Sequence, residues 1–94
     1  SKSKGLQLID SNSTITSNIF RHNNYIDSGG TGYYPYGLYL ERGTSTVSSN
    51  LFDDNSYGAI FSESVATVNS NNFINNTKES VRGSGLNVFS NNSG

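Results

Sequence analysis

Cysteine, methionine and tryptophan are absent from these 94 residues, histidine occurs once, and only 14% of the residues are charged. Without cysteine there is no disulfide frame and no cysteine-based metal site. The lone His22 has no second ligand of the metal-binding type at a suitable spacing. No apolar run approaches the length of a membrane-spanning helix. The six Lys and Arg are scattered and the net charge is −1, so the basic patch that marks nucleic-acid binding is missing. No window carries a helical stripe, and Asn, Ser and Gly are poor helix formers. With neither an initiator Met nor a signal peptide, the chain reads as a mature or excised form.

What is present is one phrase written repeatedly. Ile15-Thr16-Ser17-Asn18-Ile19-Phe20 returns as Val47-Ser48-Ser49-Asn50-Leu51-Phe52 and as Val68-Asn69-Ser70-Asn71-Asn72-Phe73, with a shorter copy at Asn87-Val88-Phe89. A second Asn follows each first Asn by five residues, at Asn23, Asn55, Asn76 and Asn92. The period is 21 residues from Gly37 to Gly58 and from Asn50 to Asn71, whereas Gly5 to Gly37 contains an eleven-residue insertion at about 25–36. Within each period three short runs alternate apolar and polar residues, as strands do. A period near 20 with about three strands predicts a parallel β-solenoid of about four coils. The expected segments are a tail 1–4, coils 5–36, 37–57 and 58–78, and an irregular last coil 79–94, all in a single domain 1–94.

Stacking at that period predicts columns. Leu6/Leu38/Ala59, Leu8/Leu40/Phe61 and Ile15/Val47/Val68 would face inward, and Phe20, Phe52, Phe73 and Phe89 would form an aromatic stack. Asn18, Asn50, Asn71 and Asn87 would form one ladder, and Asn23, Asn55, Asn76 and Asn92 another. Their amides would bond along each column while the residues themselves take the left-handed bends between strands. A leucine-rich repeat, the nearest alternative in period, needs more Leu around its Asn than the chain supplies.

These motifs, Gly-Leu-x-Leu followed by Ile/Val-x-Ser-Asn-x-Phe-x-x-Asn, resemble the parallel β-helix repeats of the pectin-lyase-like superfamily, in particular those of NosD-type and surface β-helix proteins. The resemblance spans about Gly5 to Asn92. It implies a right-handed, three-sided coil and an extracellular or cell-surface location. It leaves function open, since that superfamily includes polysaccharide lyases, glycoside hydrolases and non-catalytic stalks.

Candidate functional residues are few. All six Tyr lie in or beside the insertion, and Tyr33, Tyr34, Tyr36 and Tyr39 with Gln7 would present a face to sugar rings or to a protein neighbour. The bland alternative is a cluster that covers the side of the coil. Asp53 and Asp54 are adjacent, so on a strand they face opposite sides and do not converge on one glycosidic bond. Asp10, Arg42 and Glu63 occupy equivalent positions and would form an acid–base–acid ion-pair column, while His22 aligns with Asp54 and Asn75 in a bend. Asn12, Asn75 and Asn91 each open a glycosylation sequon. No catalytic residue, metal or cofactor is expected. The leading expectation is a non-catalytic structural β-helix module, a spacer or self-stacking subunit whose partners are copies of itself or flanking coils. The alternative is a carbohydrate-binding or polysaccharide-degrading fragment with a Tyr-lined groove.

Overall fold

A computed structural model describes residues 4–24 and 35–94. Ten strands account for the described secondary structure: β1 (Lys4–Ile9), β2 (Thr14–Thr16), β3 (Ile19–Arg21), β4 (Tyr36–Glu41), β5 (Thr44–Ser48), β6 (Leu51–Asp53), β7 (Tyr57–Asn69), β8 (Asn72–Ile74), β9 (Glu79–Gly85) and β10 (Val88–Ser90). Seven of them make one curled parallel sheet in the order β1-β4-β7-β5-β2, with β9 and β10 also on β7. The other three make a small parallel sheet, β3-β6-β8.

This arrangement corrects the expected right-handed solenoid of four coils of about 21 residues. The 13-residue strand β7 overturns it, because it runs unbroken through what the sequence presents as two separate strand positions. Its first part pairs with β4 and β9 and its second with β5 and β10, so both positions belong to one curled sheet. The bend at Glu63 (φ 51°) does not interrupt it, because Val65 N–H donates to the Gly43 carbonyl and carries the pairing past the bend. The pairings of Leu6 with Leu38, 32 residues on, and of Leu38 with Ala59, 21 on, do follow the expected insertion. The β7–β9 register then shifts between Phe61 and Ser64.

The pairwise registers nevertheless place many of the expected neighbours side by side. Leu38, Leu40, Val47, Phe52, Ala59, Phe61, Ala66 and Val68 are buried, and Leu6, Leu8 and Val81 lie partly buried against them. Phe20, Phe52 and Phe73 stack nearly parallel, with centroids 5.0 and 4.7 Å apart. Phe89 is not their fourth member. It pairs in register with Val68 and meets Phe61 edge-on at 5.7 Å. The early arrival of the last copy causes this: its Phe follows Asn87 by two residues, yet Asn87 stands level with Ala66 rather than with Asn71.

Glycine at 37 answers a close approach. A Cβ there would lie 2.7 Å from the Gly58 carbonyl oxygen and 3.0 Å from Phe20 Cβ. The strand backbone thereby approaches the Phe stack and the Asn55 amide.

Candidate functional site

The asparagines form two polar ladders. In the first, Asn18 Nδ2 donates to Asn50 Oδ1 (3.2 Å), Asn50 to Asn71 (3.0 Å) and Asn71 to Asn92 (3.0 Å). Each acceptor also takes the backbone N–H of the same donor residue at 2.9 Å. The second amide proton of Asn50, Asn71 and Asn92 goes to the carbonyls of Ile15, Val47 and Val68, each at 2.9 Å. The second ladder runs Asn23 to Asn55 (2.9 Å) to Asn76 (3.1 Å), with Asn55 donating to the Phe20 carbonyl and Asn76 to the Phe52 carbonyl. Asn50, Asn55 and Asn71 are buried, and each satisfies its amide with neighbouring asparagines and a main-chain carbonyl.

Two ladder assignments change. Asn92 belongs to the first ladder, not the second. Asn87 belongs to neither and instead accepts from Ser64 Oγ (2.8 Å) and Ala66 N–H (3.0 Å). The conformational assignment changes too. The ladder asparagines do not take the left-handed bends. Those fall on the residue before each: Ser17, Ser49, Ser70 and Asn91 ahead of the first ladder, and His22, Asp54 and Asn75 ahead of the second, all with φ of 56–65°. Each such residue costs roughly 1–2 kcal/mol, which the ladder bonds beside it offset.

Among the described residues the first ladder has unclosed ends. No described residue donates to Asn18 Oδ1, and at the far end Asn92 N–H and one of its amide protons lack a described acceptor. The sheet edges match this. Ser17 N–H donates forward to Ser48, and Thr46 N–H donates back to Ser13. Alternate N–H groups of a strand point to opposite sides, so those of Thr14 and Thr16 point out of the open β2 edge. At the opposite edge Leu86, Val88 and Phe89 are 79, 63 and 45% exposed.

The tyrosine face is a second, smaller site. Tyr33 and Tyr34 lie outside the described residues. Tyr36, expected to be exposed, is buried with Tyr57 and Ile60, and Tyr39 packs half-buried against them. The Tyr36 and Tyr39 rings are 5.4 Å apart. Gln7 is exposed and level with Tyr39. Tyr39 Oη donates to Glu41 Oε1 (3.1 Å), and burial followed by this bond to a carboxylate raises its pKa. Arg82, which the sequence does not single out, lies in register with Ile60, and its guanidinium sits 5.7 Å from the Tyr57 ring centroid. Only the registers identify it, since no motif surrounds it. A depression of about 290 Å³ lies here, lined by Tyr39, Ile60, Phe61, Ser62, Arg82 and Ser84 among others.

The charged residues are mostly engaged with one another. Asp53 takes Arg21 Nε at 2.9 Å, whereas Asp54 takes His22 Nδ1 at 2.7 Å and Asn24 Nδ2 at 2.8 Å. Arg42 binds both oxygens of Asp10 and, at 2.7 Å, Glu41. The ion-pair cluster is therefore Asp10–Arg42–Glu41, in place of the expected Asp10–Arg42–Glu63 column; the Glu63 backbone N–H donates to Ser84 Oγ (3.0 Å). The hydrogen bond from Arg42 lowers the Asp10 pKa, and those from His22 and Asn24 lower that of Asp54. A depressed folded-state pKa gives stability that is present above the unfolded value and lost as pH falls through the folded one. The melting temperature is therefore expected to fall slightly below about pH 4, and the fall should shrink in Asp10→Asn/Asp54→Asn. Both groups are exposed, so added salt should weaken the effect. Thermal melts across pH 2–6 would check this; an unchanged acid slope in the double variant contradicts it.

Of the sequon asparagines, Asn12 Oδ1 accepts the Thr44 N–H (2.8 Å), and Asn75 and Asn91 are exposed in left-handed bends. Among the described residues no group of three or more His, Cys, Asp or Glu gathers, and no helix is long and apolar enough to cross a membrane. No family model, curated protein or solved structure matches the chain.

Proposed function

We propose that this chain is a non-catalytic structural module of an extracellular or cell-surface protein, a spacer or self-associating subunit that extends by adding strands at its open sheet edges. The observation that carries the reading is the pair of unclosed ends on the first asparagine ladder, each beside a parallel edge that no described strand covers. Unpaired edges template further strands, and the apolar side chains exposed beside β10 add area for association. The carboxylates and cations mostly neutralise one another, so the charged surface offers little opposition to close approach. Sedimentation velocity tests this. The average mass is expected to climb above the 10.1 kDa of one chain as concentration rises, and a single 10.1 kDa species at every concentration contradicts it.

The depression beside Tyr39 favours a second reading, a carbohydrate contact. A half-buried aromatic ring beside Ile60 and Arg82 offers both an apolar plane and hydrogen-bond donors. Under that reading a polysaccharide panel yields a ligand whose binding weakens at least tenfold, about 1.4 kcal/mol, in Tyr39→Ala. No binding across the panel, or an unaffected variant, removes it.

A further inference from the structure

The ladders have a direction, and that direction, taken with the self-association on which this inference rests, bears on how copies would join. In every rung the residue from the earlier strand donates and the residue from the later strand accepts. The early end of the first ladder therefore presents an acceptor, Asn18 Oδ1. The late end presents donors, Asn92 N–H and one amide proton. A joint between two early ends would oppose acceptor to acceptor, and one between two late ends donor to donor. Only an early end against a late end lets the ladder continue.

Strand direction and register agree with this. Every strand pairing among the described residues is parallel. A copy added by translation preserves that sense, whereas a two-fold joint along a strand edge reverses it. Thr14, Thr46, Thr67 and Val88 are successive register partners. So are Ile15, Val47, Val68 and Phe89, an apolar column with β2 and β10 at its two ends.

We infer that copies of this chain join head to tail, with the β9/β10 edge of one against the β1/β2 edge of the next and Asn92 of one donating to Asn18 Oδ1 of its neighbour. The joint is heterologous, so it leaves a free end after each addition and grows without closing.

Because the chain has no cysteine, thiols can be placed at will. Thr14 and Val88 are both exposed. In the inferred joint they stand level on paired strands, with Cα atoms about 4.8 Å apart, within reach of a disulfide. Thr14→Cys/Val88→Cys in one chain is expected to give a ladder of covalent multimers on oxidation. Either single variant alone should give none, and an equal mixture of the two should stop at covalent dimers. Covalent dimers from one single variant alone would show a same-end joint and overturn the inference. An unsubstituted protein that associates while none of these variants cross-links would place the joint elsewhere and overturn it too. An unsubstituted protein that stays monomeric by sedimentation removes instead the underlying proposal of self-association. Thr16→Cys with Ser90→Cys, a second exposed pair in the corresponding register, repeats the test should the first pair fold poorly.

Discussion

Phe52→Ala is expected to destabilise the protein by about 3–5 kcal/mol. Phe52 is fully buried and is the middle member of the aromatic stack, with Phe20 at 5.0 Å and Phe73 at 4.7 Å. Truncation removes the ring's transfer from water and leaves a cavity between two rings. Those rings cannot close it, because strands β3, β6 and β8 hold them at the inter-strand spacing. Phe89→Ala provides the contrast, since that ring is 45% exposed and touches the core only edge-on. Its loss is expected to cost clearly less. Urea titrations of both variants check the pair, and equal losses would show that the stack is not the centre of the core.

The second large effect is expected at Asn55. Its side chain is fully buried and makes bonds in three directions: it accepts from Asn23, donates to Asn76, and donates to the Phe20 carbonyl. Asn55→Ala leaves those partners facing a space that the new side chain does not fill. Each buried group without a partner costs about 1–3 kcal/mol, so a loss on the order of 3 kcal/mol follows. Asn23→Ala removes the end of the same ladder. There Asn55 Oδ1 keeps the Asn23 backbone N–H as donor, and the loss is expected to stay within about 1 kcal/mol. Denaturant titrations decide between this and a uniform effect along the ladder, which would mean that the amide side chains are solvated in place.

Much of this was legible from residue order alone. The 21-residue spacing identifies Asn50 and Asn71 as neighbours, and the insertion explains why Asn18 and Asn50 lie 32 apart. The Leu, Val and Phe positions alternate, so their burial follows from the two-residue period of a strand. How strands group into sheets was not legible. Whether β7 breaks at Glu63 depends on the backbone bonds that flank it, from Arg42 to Ser62, Val65 to Gly43 and Leu86 to Ser64, which the alternation does not encode. The expected solenoid of about four coils, the first with an insertion and the last irregular, failed there. The misplacement of Asn87 and Phe89 has a similar origin, since the last copy resembles the others in residue type but pairs shifted along the strand. Asparagine's tolerance of the left-handed region pointed to the wrong position because the side-chain bonds need the Asn just beyond the bend, leaving Ser, Asp, His or a separate Asn (Asn75, Asn91) within it. The tyrosine site was legible as a cluster but not as a surface. Tyr36 turns under Tyr39, and Arg82 enters only through the β7–β9 register.

Amide hydrogen exchange, measured residue by residue at low and high protein concentration, reads out whether further strands continue the open edges. Thr14 and Thr16 N–H point out of β2, whereas Thr46 N–H in β5 already donates to Ser13. Thr14 and Thr16 are expected to exchange fast in dilute protein and to gain strong protection as concentration rises, while Thr46 is protected throughout. Edge amides that exchange at the same fast rate at every concentration would contradict this.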